Sequence, residues 1–240
     1  MNVKHKIRKS LWRFGYDFSR FTPRTHPLAR RKQILDSFEI DTVLDIGANV
    51  GQFAEQTRSD LGYANRIISF EPLNSAYKVL KEKAEKDPNW ETLNYALGDT
   101  EGNQEINVAR NSYSSSLLDM LPSHVKSAPD SKYIGKELIE VKRLDSVFGE
   151  LCKPTDRIYM KIDTQGFESQ VLSGAEKSLF YIDTVQMEMS LMPIYEGELL
   201  FDEMFKLMRT KDYELIAIET GFTDKVTGQI FQVDGLFHRF

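Results

Sequence analysis

Four acidic residues stand at or near the ends of short apolar stretches: Asp45, Glu71, Asp163 and Glu188. Apolar stretches of this length are typical of buried strands. In open α/β sheets, ligands bind beyond the carboxyl ends of the strands, so side chains at these positions come together there. Carboxylates in such a place can accept hydrogen bonds from hydroxyl groups, hold a cationic amine or act as a general base. The spacing therefore predicts a ligand site at one edge of a sheet.

The first strand runs into a turn that is bracketed by two glycines. Thr42–Phe53 (TVLDIGANVGQF) passes from apolar residues to Gly47 and Gly51, after which a helix is predicted. Glycine at these positions would let a ligand approach the backbone closely, and Asp45 could take a cationic amine of that ligand. The third glycine of the GxGxxG dinucleotide motif is missing. The turn therefore predicts a nucleotide-type site and disfavours an NAD-dependent oxidoreductase.

The second strand ends in an acidic residue. Arg66–Pro72 (RIISFEP) is apolar up to Glu71, which lies 20 residues beyond Gly51. An acidic side chain at the end of the second strand of a strand–helix–strand unit can accept hydrogen bonds from a ribose diol. The glycine turn and the acidic residue together predict an adenosine-containing ligand. The alternative is a purely structural strand–helix–strand unit.

Strands and helices alternate along most of the chain. Further strands are predicted at Trp90–Leu97, Glu105–Ala109, Ile139–Val141, Arg157–Ile162, Thr184–Met189, Tyr213–Ile218 and Ile230–Phe240, and helices at Leu28–Phe38, Gln52–Leu61, Asn74–Lys86, Phe167–Leu179 and Glu198–Thr210. Asn74 is the expected N-cap of its helix. The alternation predicts an α/β fold with a doubly wound, mostly parallel sheet. The last two strands, joined through Gly221 and Gly228 without a helix, are predicted to be antiparallel.

One long segment, Asn111–Tyr133, shows no periodicity and contains seven serines and two prolines. Irregular segments of this length inside a compact domain often form lids or binding loops. We expect this segment to close over the ligand, with Ser116 at the cofactor. His124, in the same segment, could act as a general base because imidazole titrates near neutrality. The alternative for His124 is an ordinary loop histidine.

Composition indicates one domain with an appendage. The 240 residues are 41% hydrophobic, which suffices for a core, and the single cysteine, Cys152, excludes an intrachain disulfide. A reducing, cytoplasmic location is therefore expected. No apolar run approaches the roughly 20 residues of a membrane span, and the N-terminus lacks the apolar segment of a secretory signal. We expect a basic helical extension over residues 1–40 and one domain over residues 41–240.

Charge is distributed unevenly along the chain. Residues 1–33 carry a net charge of +9 and the remaining residues carry −14, which gives −5 for the whole chain. Aromatic and basic residues are interleaved in residues 1–20. This pattern suits a helix that lies on the inner face of an anionic membrane, or a helix that packs on the domain or on a second copy in a homo-oligomer. The acidic remainder disfavours nucleic-acid binding, which depends on neutralising phosphates.

Taken together, the motifs resemble those of the FkbM family of S-adenosylmethionine (SAM)-dependent methyltransferases. In chain order they are VLDIGANVGQF, FEP, NYALGD, SSSL, LDS, KIDTQGFESQVLSGA and EMSLMPIY, which lie between Asp41 and Tyr195. The resemblance implies a class I methyltransferase fold, which is Rossmann-like, and O-methylation of a sugar or related polyhydroxyl acceptor in a glycan or natural product. The alternatives are an N- or carboxyl-methyltransferase, or a SAM-binding partner protein without catalytic activity.

The resemblance also implies contacts to SAM, residue by residue. It assigns the methionine end to Asp45, Gly47, Ala48, Asn49 and Gly51, the ribose to Glu71 beside Pro72, and the adenine to Ala96 and Leu97. None of these motifs identifies the acceptor.

Methyl transfer to an aliphatic hydroxyl benefits from a general base, because such a hydroxyl is a poor nucleophile. Asp163 and Glu188 are the first candidates, and His124 is the third. Asp163 could instead hold the SAM amine, which would leave Glu188 or the serine-rich segment to supply the base. The structural alternatives are a helix N-cap for Asp163 and an ion pair for Glu188. A divalent cation on Asp163, Glu168 and Glu188 is a further alternative, which we do not expect.

Overall fold

The computed structural model describes residues 3–122 and 128–240. The strands, in chain order, are β1 (Thr42–Ile46), β2 (Arg66–Phe70), β3 (Trp90–Leu93), β4 (Ala96–Leu97), β5 (Gly102–Ala109), β6 (Tyr133–Lys142), β7 (Ile158–Ile162), β8 (Thr184–Ser190), β9 (Glu214–Thr220) and β10 (Gln232–His238). They form a seven-stranded sheet in the order β3-β2-β1-β7-β8-β10-β9 and a smaller sheet in the order β4-β6-β5.

The central sheet has the predicted topology. Its neighbouring strands from β3 to β8 run parallel, whereas β10 lies antiparallel between β8 and β9. The chain moves outward in one direction from β1 and in the other from β7, so the sheet has a topological switch point between these two strands. The prediction of a doubly wound, mostly parallel sheet with an antiparallel last strand is confirmed. The switch point is where sheets of this kind bind ligands.

The helices within the described residues are α1 (Val3–Trp12), α2 (Pro27–Ser37), α3 (Gln52–Ser59), α4 (Asn74–Ala84), α5 (Leu144–Leu151), α6 (Glu168–Gly174) and α7 (Phe201–Thr210). Two 3₁₀ helices occupy Pro129–Ser131 and Ser178–Tyr181. Among the described helices, none combines the length and the apolar character that a membrane crossing requires.

Strand residues alternate between two apolar cores, one on each face of the sheet. Leu44 and Ile46 pack with α5, α6 and α7 on one face, and Val43 packs with α2 and α3 on the other. Ile34 and Leu35 of α2 are buried in this second core. The second half of the predicted N-terminal extension therefore packs on the sheet and holds its polar residues beside the strand ends.

The predicted strand Trp90–Leu97 is in fact two strands in two sheets, β3 and β4. Asn94 lies between them, and its side chain holds this point of the chain beside the end of β2. Its Nδ2 donates to the carbonyl oxygens of Glu71 at 2.9 Å and Pro72 at 3.1 Å. The single-strand prediction was wrong because apolar alternation does not show which sheet a residue joins.

Two predictions about helices were also wrong, and one helix was not predicted. The predicted helix Phe167–Leu179 breaks at Gly174, where an added Cβ would lie 1.8 Å from the carbonyl oxygen of Gly98. Helix α4 has Leu73 at the N-cap position, and Asn74 is its first helical residue. Helix α5 was not predicted, although its buried residues follow helical spacing.

Candidate active site

A cavity of about 410 Å³ opens at the carboxyl ends of β1, β2 and β7. Its size falls in the range of about 300–1,000 Å³ that is typical of small-molecule sites. Of the residues predicted to contact SAM, those in the described cavity wall are Gly47, Ala48, Asn49, Glu71, Pro72, Ala96, Leu97 and Asp163. The cavity therefore lies at the switch point and brings together most of the residues that the sequence motifs indicated.

The two glycines of the turn are required by contacts within the protein. Gly47 has a φ of +77°, and a Cβ added there would lie 1.9 Å from the carbonyl oxygen of Asp163. Gly51 has a φ of +87°, and its Cβ would lie 2.9 Å from side-chain atoms of Leu80 and Trp90. The described cavity wall includes Gly47 but not Gly51. Close backbone packing of β1 against the end of β7 therefore requires glycine at position 47, which also lines the cavity.

Lys161 lies buried beneath the turn and pairs with two carboxylates. Its Nζ is 3.3 Å from Asp45 Oδ1 and 3.4 Å from Asp163 Oδ2. Burial lowers the pKa of Lys161, but Asp163 and Asp45 outweigh burial and raise this pKa above its usual value, so the amine stays charged. Asp45 is fully buried and is not among the described residues of the cavity wall. In contrast to the expected contact with a ligand amine, its carboxylate contacts Lys161.

Glu71 presents a buried carboxylate to the cavity at the end of β2. Its Oε2 accepts a hydrogen bond from the backbone N–H of Asn49 at 2.8 Å, and its Oε1 accepts one from Leu73 N–H at 2.8 Å. Burial raises the pKa of Glu71 to about 7, although these two hydrogen bonds lower it. Each oxygen keeps a second lone pair, so the carboxylate can still accept two hydroxyl groups.

Asp163 and Glu188 both belong to one hydrogen-bonded cluster. Gln165 Nε2 donates to Asp163 Oδ1 at 2.8 Å and to Glu188 Oε2 at 3.0 Å, and Gln232 Nε2 donates to Glu188 Oε2 at 2.7 Å. Burial, and then the charges of Asp163 and Glu168, raise the pKa of Glu188 well above its usual value. Asp163 lines the cavity, whereas Glu188 is not among the described residues of its wall. The N-cap of α6 is Phe167, so Asp163 does not cap that helix.

The serine-rich segment contributes serines to the cavity wall, but not the serine that was expected there. Ser116 is buried, and its hydroxyl donates to the carbonyl oxygen of Gln165 at 2.7 Å. Ser116 is not in the described cavity wall, whereas Ser112 and Ser115 are. Ser112 also accepts a hydrogen bond from Asn49 Nδ2 at 3.2 Å. His124, the third candidate base, lies outside the described residues.

Several polar residues of the cavity wall were not predicted, among them Arg31 of α2, Gln186 of β8 and Asp234 of β10. Arg31 Nη2 lies 2.5 Å from Glu219 Oε2 of β9. No local motif marks these residues, because they come from elements far apart in the sequence. One signal was available, since Asp234 is a charged residue inside the apolar strand Gln232–His238.

Metal ligation was the remaining alternative for the acidic residues. Within residues 3–122 and 128–240, no group of three or more His, Cys, Asp or Glu side chains is arranged as metal ligands. The arrangement of carboxylates instead suits hydrogen bonds to hydroxyl groups and contact with a cationic ligand.

The sheet topology, with its antiparallel last strand and a cavity at the switch point, is that of class I SAM-dependent methyltransferases. Residues 45–215 match the family described as Methyltransferase FkbM domain, and the chain belongs to this family. The predicted family, enzyme class and cofactor are thereby confirmed: the protein is a methyltransferase that uses SAM.

Solved structures with a similar fold include several methyltransferases. An rRNA methylase from Streptococcus thermophilus is 9% identical, with a TM-score of 0.48, over 90% of this chain and 98% of that chain. M. capricolum TrmK with S-adenosylhomocysteine is 7% identical, with a TM-score of 0.47, over 90% and 68%. The fibrillarin/Nop5p complex is 14% identical, with a TM-score of 0.47, over 94% and 86%. At these values, neither a substrate nor a partner follows from the similarity. A comparison with curated proteins gives no match.

Proposed function

We propose that the protein transfers the methyl group of SAM to a hydroxyl group of a sugar or related polyhydroxyl acceptor. This proposal rests on the charges of the side chains that line the cavity. The two cations of the described cavity wall, Arg31 and Lys161, are each paired with carboxylates, one of which is Asp163, while Glu71 and Asp234 add further carboxylates to the wall. An anionic acceptor would meet like charge there, whereas a neutral hydroxyl acceptor would not. The cavity thus favours O-methylation of a hydroxyl over methylation of a carboxylate.

The cofactor end of the cavity has groups for each part of SAM. Glu71 would accept the ribose hydroxyls, and Ala96 and Leu97, with Pro72 nearby, would flank the adenine. The backbone at Gly47, Ala48 and Asn49 would hold the methionine end, and Asp163 would hold its amine, because Asp163 lines the cavity whereas Asp45 is fully buried. The presence of these groups in one cavity wall supports these roles.

Bound SAM would supply a methyl group that its sulfonium already activates. The protein's own contribution is to place the acceptor oxygen in line with that methyl group and to take the hydroxyl proton. Glu188 would not touch the acceptor in this account. It would hold Gln165, and through Gln165 the carboxylate of Asp163.

The proposal is tested by incubating the protein with SAM that carries an isotopically labelled methyl group, together with three acceptor panels. The panels contain neutral methyl glycosides and inositols, amino sugars, and uronic acids. NMR of the products distinguishes methyl ethers, N-methyl groups and methyl esters. Methyl ethers on the neutral panel are expected. Label only on nitrogen or only on carboxylate would contradict the proposal and support the corresponding alternative.

We further propose that residues 1–20 contact an anionic membrane surface. In α1 and the turn after it, Trp12, Phe14 and Phe18 are exposed, the latter two by 74% and 70%. Lys9 and Arg13 lie in the same stretch. Exposed aromatic residues among basic ones are typical of segments that bind the headgroup region of a membrane. Such a contact would bring the enzyme to acceptors that are carried on lipids.

A further inference from the structure

Part of the cavity wall comes from elements on the β8 and β10 side of the sheet, away from Glu71, and we treat the space beside it as a second compartment. We call it the acceptor compartment and define it by the residues that line it: Arg31, Gln52, Phe53, Gln56, Gln186 and Asp234. These residues belong to α2, α3, β8 and β10, whereas the groups proposed to hold adenosine lie on the β2 side of the sheet. Gly47 and Asp163 lie between the two compartments at the ends of β1 and β7. A methyl group held near Gly47 would lie next to the acceptor compartment.

Two polar groups of this compartment have no hydrogen-bond partner among the described residues: one is buried, where such partners are the rule, and the other is half-buried. Gln52 Nε2 is buried and has no hydrogen-bond partner in the described part of the chain. The carboxylate of Asp234 likewise receives no hydrogen bond from residues 3–122 or 128–240. An unpartnered donor and an unpartnered acceptor that line one cavity are complementary to a hydroxyl group, which both donates and accepts.

Gln186 adds a second donor whose orientation is fixed. The hydroxyl of Tyr159 donates to Gln186 Oε1 at 2.5 Å, and both side chains are almost fully buried. Because Oε1 takes this hydrogen bond, the amide nitrogen is the end of Gln186 that is available to the cavity. Two amide donors around one carboxylate suit an acceptor with several hydroxyl groups.

Asp234 sits in a row of like charges. In the sheet register it is directly opposite Glu188 on β8 and Glu219 on β9. Like charges directly opposite one another destabilise a sheet. Glu219 is paired with Arg31 and Glu188 accepts hydrogen bonds from two amides, whereas the carboxylate of Asp234 has neither an ion pair nor a hydrogen bond from residues 3–122 or 128–240. A carboxylate kept at such a cost inside a cavity is typical of a functional residue.

The surroundings also tune Asp234 for proton transfer. Burial raises the pKa of Asp234, and Asp163 adds to the rise, while Arg31 and Lys161 oppose it and Glu219 supports it. A carboxylate with a raised pKa takes a proton near neutral pH more readily than an ordinary one.

We propose that the acceptor compartment binds the methyl acceptor and that Asp234 is the general base. This inference rests on the proposed function. In the step, the acceptor's O–H bond breaks and its proton moves to the carboxylate of Asp234. The oxygen electron pair forms the new bond to the methyl carbon, and the electron pair of the carbon–sulfur bond stays on sulfur as a neutral thioether.

The test uses the full-length protein saturated with S-adenosylhomocysteine and four probes: methyl α-glucopyranoside, methyl α-mannopyranoside, rhamnose and myo-inositol. Saturation-transfer NMR reports which probe binds, and calorimetry reports cofactor affinity. The variants are Asp234→Ala, Gln52→Leu and, as the matched strand carboxylate outside the described cavity wall, Glu214→Gln. At least one probe is expected to bind to wild type and Glu214→Gln, and to bind at least fivefold more weakly to both other variants, with unchanged cofactor affinity.

The outcomes separate this inference from the proposed function. Equal probe binding by Asp234→Ala and wild type would overturn the acceptor compartment and leave O-methylation standing. Cofactor binding with no probe bound by wild type would overturn the polyhydroxyl acceptor itself. Gln52→Leu removes a buried amide without a partner, so it should fold with at least wild-type stability and keeps the test decisive if Asp234→Ala does not fold.

If one of the bound probes is also methylated by the enzyme, the variant Asp234→Asn tests whether Asp234 takes the hydroxyl proton. The amide keeps the shape but takes no proton, so kcat should fall about 10²–10⁴-fold. The acidic limb of the pH profile should disappear with it. A wild-type rate and profile in Asp234→Asn would show that the base is another group.

Discussion

Asp163 and Glu188 are joined through a single amide, because Gln165 Nε2 donates to Asp163 Oδ1 at 2.8 Å and to Glu188 Oε2 at 3.0 Å. Gln165 is itself held at its other end, where the hydroxyl of Tyr195 donates to Oε1 at 2.7 Å. The two carboxylates are thus kept at a fixed separation by a side chain that cannot turn without losing these hydrogen bonds. Glu188 therefore acts on the cavity through Gln165.

This relationship predicts a mild effect for Glu188→Gln. The new amide oxygen can still accept from Gln165, so we expect S-adenosylhomocysteine affinity within about twofold of wild type and a fall in kcat of less than about tenfold. Calorimetry and steady-state kinetics measure the two quantities. A loss of about 10²–10⁴-fold in kcat, with a changed pH profile, would make Glu188 the base instead of Asp234.

Glu71→Ala should weaken cofactor binding without unfolding the protein. Loss of a charge-assisted contact costs about 1.5–3 kcal/mol, which corresponds to at least about a tenfold loss of S-adenosylhomocysteine affinity by calorimetry. Glu137→Ala is the matched control, because Glu137 Oε1 also accepts a backbone N–H, from Asn74 at 2.9 Å, but lies outside the cavity wall. Equal affinities in the two variants would show that Glu71 does not hold the ribose.

The raised pKa of Glu71 predicts a pH dependence of stability. The pKa is about 7 in the folded protein against a usual value of 4.5, so the folded state holds a proton that the unfolded state loses between these pH values. The free energy of unfolding should therefore fall as pH rises from about 4.5 to about 7, by on the order of 3 kcal/mol. Glu71→Gln removes this contribution. Urea unfolding at about pH 5 and about pH 8 tests it, and identical pH dependence in both proteins would contradict it.

Gly47→Ala and Gly62→Ala separate backbone strain from steric conflict. Both glycines have a left-handed φ, +77° and +70°, so both substitutions share a cost of about 1–2 kcal/mol. At Gly47 an added Cβ would lie 1.9 Å from the carbonyl oxygen of Asp163, whereas at Gly62 it would have no atom within 4 Å. The free energy of unfolding, measured in urea, should therefore fall by about 1–3 kcal/mol more in Gly47→Ala than in Gly62→Ala. Equal losses would show that β1 can move away from β7.

Removal of two exposed aromatic residues tests the membrane contact. Wild type should sediment with vesicles that contain phosphatidylserine, and less so at high salt or with neutral vesicles. The double variant Phe14→Ser/Phe18→Ser should lose most of this binding. Phe180→Ser is the matched control, since Phe180 is 76% exposed elsewhere on the surface. Equal sedimentation of the double variant and the control would contradict the proposal.

The parts of the fold and site that could be predicted share a local origin. A strand, its turn and the acid that follows are neighbours in sequence, which is why Gly47 and Glu71 were found and why the sheet was predicted correctly. Arg31 and Asp234 come from opposite ends of the chain and meet only when α2 packs beside β10. The burial of Asp45 likewise depends on the β1–β7 register, which sets Asp45 opposite Lys161. No spacing within one segment can reveal such pairings.

A crystal structure of the S-adenosylhomocysteine complex tests most directly whether one cavity holds the cofactor and the acceptor side by side. The account predicts that both ribose hydroxyls lie within hydrogen-bond distance of Glu71 and that the sulfur lies beside Gly47. From there, a methyl group on sulfur would point toward Asp234 and Gln186. A complex with the sulfur directed at the serine-rich segment, and with Asp234 separated from it by the cofactor, would contradict the account.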